Sequence, residues 1–333
     1  MTTTASPARP PSAVAPLLDR LRAPGQPRPA VDPELAGGLR EWLEDALADP
    51  VGALSGDLAD IRVRKDALTQ VLVCEGHFAA SRAAPRTVTV ELARGSLVDA
   101  LFRQWVTVGE VGEPLTDGLG ALSVEGGGDG VVEYVTRLPM QRRRGLAAEL
   151  AVHVDGIRRD WPVLSPAWLP RTQERVTVPL AGGRVVLSGV VDLALGGPAV
   201  DHAAVCLVEV KSGARRVEHR ADLHFYALLE TLRAGAPPFR VATYYSATGE
   251  LDVESIGEHV LVGALQRVVT ATTRMCRLAS GSAPVLTPNP LCAWCVGLPS
   301  CPPGQRRCGT DTPLDASAEA DVGTGADAPR ASS

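Results

Sequence analysis

The apolar positions of this chain follow two rhythms, and the change between them comes at Glu174. Before it, apolar residues recur at helical spacing. Leu39, Trp42, Leu43 and Leu47 share one face of a helix that Asp32 would cap and Pro33 would open. Leu68, Val71, Leu72, Phe78 and Ala79 predict a second helix over 65–83, with Cys74 inside it. A short helix is expected over 95–105. Residues 131–161 read as one long helix or as two broken near Pro139. After Glu174 the period shortens to two. Val176, Val178 and Leu180 alternate with polar residues, Gly182-Gly183 makes a tight turn, and 184–195 returns as the partner strand. The apolar run from Ala203 to Val210 reads as a strand buried on both faces. A helix over 219–234, strands over 239–247 and 251–256, and a long amphipathic helix over 257–279 follow.

This pattern is α/β: a helical part (32–170) joined without an obvious linker to a strand-rich core (171–282), then a cysteine-bearing loop (284–308). Residues 1–31, rich in Pro, Ala and Arg, and 309–333, rich in acidic residues, read as disordered tails. The 333 residues suffice for one large domain or two small ones, and 45% apolar content is that of a globular protein. No run approaches the roughly 18 apolar residues of a membrane span. The first residues lack the charged and apolar regions of a secretory signal, so a cytoplasmic location is expected. There, seven cysteines read as metal ligands or buried thiols before disulfides. Net charge is −5, but much of it lies after Cys308. The arginine pairs and triplets read as solvated faces, except Arg215-Arg216, which follows the residues considered next.

In Leu207-Val-Glu209-Val-Lys211, Glu209 and Lys211 lie two apart on a strand and so share a face. Charged groups in a run otherwise this apolar are costly to bury unless they serve a function. Asp192 closes the preceding strand. The carboxylates of Asp192 and Glu209, with the carbonyl of Val210, could hold one Mg²⁺ or Mn²⁺. Lys211 would orient a water or stabilise a pentacovalent phosphorus. Together these residues are a minimal set for metal-assisted phosphodiester hydrolysis.

Gly189-Val-Val-Asp192 followed by Glu209-Val-Lys211 resembles the core of the PD-(D/E)XK nuclease superfamily. The next helix, with Asp222 and Tyr226 at i and i+4, resembles the Gln-x3-Tyr motif of its RecB-like branch, with Asp222 in the usual Gln position. The resemblance implies a restriction-endonuclease-like mixed sheet flanked by helices. It implies a metal-dependent DNA nuclease, usually an exonuclease, acting on linear ends or single strands in repair, recombination or defence. It also implies an upstream histidine or acidic residue. Asp99 in Gly95-Ser-Leu-Val-Asp99 is the best match, as a further metal ligand or a water-positioning group, with Glu149 and His153 as rivals. The chain has no Gly-x4-Gly-Lys-Ser/Thr, so any helicase would be a separate subunit. The Asp222 and Asp99 departures keep open a non-catalytic nucleic-acid-binding or assembly subunit on the same fold.

Cys292-x2-Cys295-x5-Cys301 sets three thiols on one proline-framed loop. Three local thiolates and one distant one suit a [4Fe–4S] cluster. The arrangement is similar to the iron–sulfur subgroup, the AddB-type and CRISPR-associated RecB-like nucleases, which implies Cys74 as the fourth ligand. Zn²⁺ is the alternative, with Cys308 in place of Cys74, or His77 as a ligand. Cys206 and Cys276 read as buried thiols. His202, His219 and His259 read as surface or turn residues, while His224 is a candidate to face the site.

Overall fold

A computed structural model of the chain describes residues 16–54, 61–85, 87–126, 128–199 and 201–309. The helical part comprises α1 (Pro16–Arg22), α2 (Leu35–Gly52), α3 (Lys65–Val73), α4 (Glu75–Ala83), α5 (Val90–Val108), α6 (Pro114–Glu125), α7 (Asp129–Arg137) and α8 (Met140–Asp160), with strand β1 (Ile61–Val63) before α3. The core follows as β2 (Arg171–Leu180), β3 (Val185–Leu195), β4 (Cys206–Lys211), α9 (Glu218–Ala234), β5 (Arg240–Tyr245), β6 (Glu250–Ser255) and α10 (Glu258–Ala279), and α11 (Pro302–Cys308) closes it.

The six strands form one mixed sheet flanked by helices, as the sequence pattern led us to expect. β3 is its organiser. β2 runs antiparallel along nearly all of one edge of β3. The other edge is divided: β1 pairs in parallel with Val185–Leu187, and β4 pairs antiparallel with Leu193–Leu195. β5 is parallel to β4, and β6 is antiparallel to β5. One apolar core lies between the sheet and α2, α3, α9 and α10, and the other between the sheet and α1, α5, α6, α7 and α8. Along β4 the alternation is regular, with Leu207 in the first core and Cys206 and Val208 in the second. Along β3 it changes phase. Val185, Leu187 and Val191 belong to the first core and Leu193 and Leu195 to the second, although all five have odd numbers. A strand that keeps its pleat cannot do this, and the residue at the change is Asp192.

The fold departs from the sequence expectations in several places, among them that α2 begins at Leu35 after Glu34 rather than at Pro33. Residues 16–31 are not a loose tail: Leu17, Leu18 and Leu21 of α1 are buried in the second core, and the amide of Val31 donates to the Asp201 carbonyl at 3.0 Å. Residues 1–15 and 310–333 lie outside the described residues. The helix expected over 65–83 is two helices, because Cys74 is extended (φ −163°, ψ 119°) and its thiol turns toward the C-terminal loop. α6 was not expected. Pro114 opens it, and the Glu113 carboxylate accepts the free amides of Leu115 and Thr116 at 3.2 and 2.7 Å.

Candidate active site

The ladder between β3 and β4 ends at Leu193–Val208. One register step further would set Asp192 opposite Glu209, and there the strands have parted. The amide of Val210, freed from the ladder, donates instead to Asp192 Oδ2 at 2.8 Å. On the other edge of β3, the register sets Gln173 of β2 opposite Asp192, and that pair is the one missing from an otherwise continuous run. Gln173 adopts φ +53°, a left-handed conformation rare for a residue with a side chain. Its amide Nε2 donates to both Asp99 oxygens, at 3.0 and 2.8 Å, and stands 3.4 Å from Asp192 Oδ1. Gln173 therefore ties the Asp99 carboxylate of α5 to the Asp192 carboxylate of β3.

Glu209 and Lys211 share a face as their spacing requires, and Lys211 Nζ donates to Glu209 Oε1 at 2.7 Å. The same oxygen also accepts from Lys65 Nζ, at the first turn of α3. Only 3% of the Glu209 side chain is exposed, and its Oε2 is buried without a hydrogen-bond partner among the described residues. Asp99, Asp192, Glu209, Lys211, Arg216 and His219 border one cavity of about 360 Å³. Burial pushes Asp192 well above the usual carboxylate range, and the charges of Glu209 and Asp99 add to this. Burial acts the same way on Glu209, but Lys65 and Lys211 outweigh it and hold Glu209 below its ordinary value. The two carboxylates are thus driven apart, one toward a proton and one toward a charge.

The Asp222–Tyr226 face of α9 turns toward this site. Tyr226 is buried, with its ring 5.1 Å from Lys65 Nζ. Asp222 is raised by burial, against the pull of Lys211 and Lys65. The glycine of Gly189-Val-Val-Asp192 has a steric reason: a Cβ there would fall 2.4 Å from Tyr226 Cε1. Of the three upstream candidates, Asp99 lines the cavity. Glu149 instead pairs with Arg94 at 2.9 Å, and His153 is buried against Ser246 Oγ at 2.9 Å, which in turn donates to the Lys211 carbonyl. His219, expected on the surface, lines the cavity 3.1 Å from the Tyr245 hydroxyl. Burial, then Lys211 and Arg216, lower it to about 4. His224 faces away and pairs with Glu254 at 3.0 Å. Arg216 also borders a neighbouring cleft of about 700 Å³, whose Arg215 and Arg220 are paired with Asp252 and Glu254. Sequence reasoning missed Lys65 and Gln173 as site residues.

Cys74, Cys292, Cys295 and Cys301 border a second cavity, of about 280 Å³, with His77 on the same wall. Cys308 is not part of that lining. The amides of Thr287 and Asn289 point at Cys74 Sγ and Cys292 Sγ, at 3.5 and 3.3 Å. Gly304 lets α11 lie against the thiols, since a Cβ there would meet Cys301 Sγ at 3.2 Å. Beside Cys74, the buried Glu75 carboxylate accepts from the Val285 amide at 2.8 Å and pairs with Arg277, fastening the C-terminal segment to α4. Among the described residues no three His, Cys, Asp or Glu side chains are close enough to grip a single ion. Cys206 and Cys276 are buried in the cores, and burial raises the Cys206 thiol to about 11.

No family model and no curated protein matches this chain. Among solved structures it is similar to a crystal structure from Eubacterium rectale described as a "putative exonuclease", with 14% sequence identity and a TM-score of 0.47 over 74% of this chain and 88% of that one. No helix of the described residues is long and apolar enough to cross a membrane.

Proposed function

We propose that the chain is a Mg²⁺- or Mn²⁺-dependent nuclease of the RecB-like PD-(D/E)XK type, hydrolysing phosphodiester bonds in DNA. One observation carries this reading: Asp192, Glu209 and Lys211 border one cavity where two strands part, and Glu209 keeps a buried carboxylate oxygen that is unpaired among the described residues. A buried carboxylate oxygen without a donor is expensive, and a hard cation is the partner that carboxylate and carbonyl oxygens suit. Asp192, Glu209 and the Val210 carbonyl would hold it. Such a cation polarises a phosphoryl oxygen and lowers the pKa of water. Lys211 orients the attacking water, Asp99 acts through Gln173 to fix Asp192, and the buried Tyr226 supports the site from behind, against Lys65. Linear ends or single strands are the proposed substrates, in repair, recombination or defence, with any helicase on a separate subunit.

The four thiols fit a [4Fe–4S] cluster better than Zn²⁺. A single zinc draws its sulfurs to about 2.3 Å, whereas among the described residues no three of these side chains stand close enough to grip one ion, although all four thiols border the same cavity. The cluster's part would be structural, joining α3 and α4 to the C-terminal loop.

The test is cleavage of end-labelled linear DNA and of covalently closed circles by the purified chain, first in chelator and then after Mg²⁺ or Mn²⁺ is restored. The expected result is metal-dependent loss of linear DNA, with circles spared if attack begins at ends. DNA that is bound but never cut in either metal would mark the non-catalytic alternative.

A further inference from the structure

Lys65 is a site cation contributed by the helical part of the chain, as is Arg103 of α5, which pairs with Asp99 at 4.0 Å. Lys65 opens α3, following an extended Arg64 (φ −119°, ψ 163°) that swings the helix start toward the sheet. Its Nζ bonds Glu209 Oε1 and lies 5.1 Å from the Tyr226 ring, so both the amine and its approach are fixed. Glu209 Oε1 therefore accepts from two lysines, while Oε2 accepts from none among the described residues. The imbalance has a chemical consequence. A carboxylate 3% exposed needs a compensating charge at all times. Were Lys211 its only partner, moving Lys211 toward a water or phosphate would strand Glu209. Two lysines on one oxygen remove that conflict.

Building on the nuclease reading above, we propose that Lys65 is a positioning residue. It holds Glu209 by Oε1 from the helical layer, so that Oε2 stays turned to the cation position and Lys211 is free to act on substrate. Lys65 touches neither cation nor substrate; it acts through Glu209. Without it, Glu209 turns toward Lys211 as its sole partner and both functions suffer together.

The test is Mn²⁺ binding to the DNA-free, full-length protein by electron paramagnetic resonance, beside single-turnover cleavage and thermal melting. Wild type should bind Mn²⁺, and Asp192→Ala should not. Lys65→Met should weaken Mn²⁺ binding roughly tenfold or more, the scale at which groups that orient a ligand act, and slow cleavage as well. Lys65→Arg should restore both. Tighter Mn²⁺ binding in Lys65→Met would mean that the lysine acts only as a like charge, and would overturn the proposal. So would unchanged Mn²⁺ binding with a lowered melting temperature, which marks a purely structural lysine. Should Lys65→Met not fold, Lys65→Gln carries the same comparison. Wild type that binds no Mn²⁺ would instead sink the nuclease reading itself.

Discussion

Gly189 shows how tightly single residues set this site. Its missing side chain is the space that the Tyr226 ring and Leu229 occupy. Gly189→Ala is expected to destabilise the fold by about 1–3 kcal/mol, the usual cost of overpacking a filled core, and to push Tyr226 off Lys65. Chemical denaturation checks the first and tyrosine fluorescence the second. An unchanged midpoint would mean that α9 gives way freely. Asp192, Glu209 and Lys211 were legible because a strand's two-residue period and the cost of charge in an apolar run are local signals. Lys65 and Gln173 were not. Lys65 comes from a distant element and Gln173 reaches across to Asp99 on α5, and nothing in Val63-Arg-Lys65 or Arg171-Thr-Gln173 marks a residue that meets a carboxylate far along the chain. The left-handed backbone of Gln173 is likewise a product of tertiary packing.

At the scale of elements, α3 is the link between the two candidate sites. Lys65 at its start meets Glu209, and Cys74 just past its end borders the thiol cavity. Its nine residues span roughly 13 Å, at 1.5 Å per residue. The break at Cys74 was hidden from the sequence because Leu72, Phe78 and Ala79 continue the helical period across it. What breaks the helix is the C-terminal segment held on Glu75 and Cys74. Metal bound by cysteines distant in sequence couples binding energy to folding and closes a long loop. Cys74→Ser should therefore lose iron and melt at lower temperature after anaerobic purification, while Cys308→Ser should keep both. The opposite pair of results would replace the long-range clasp by a local C-terminal metal knot.

Taken as a whole, the molecule is one sheet between two helical layers, and its candidate active site opens where the sheet is interrupted. The strand-rich core and the long helices could be read from periodicity. The divided edge of β3 could not: β1 is only three residues long, and its partner lies beyond α8. α1 was likewise missed, since a short leucine-bearing stretch among prolines resembles a tail until the second core is there to bury it. The interruption between β1 and β4 gives Asp192 its phase change and gives Glu209 an oxygen with no partner among the described residues. The central claim is that this gap is a hydrolytic metal site. It is tested most directly by single-turnover cleavage of linear DNA by wild type and Asp192→Ala in saturating Mg²⁺, with DNA binding measured in parallel. The account predicts a rate lower by several orders of magnitude, on the order expected when an essential catalytic group is removed, with DNA binding retained or tightened. Cleavage by Asp192→Ala at the wild-type rate would contradict it.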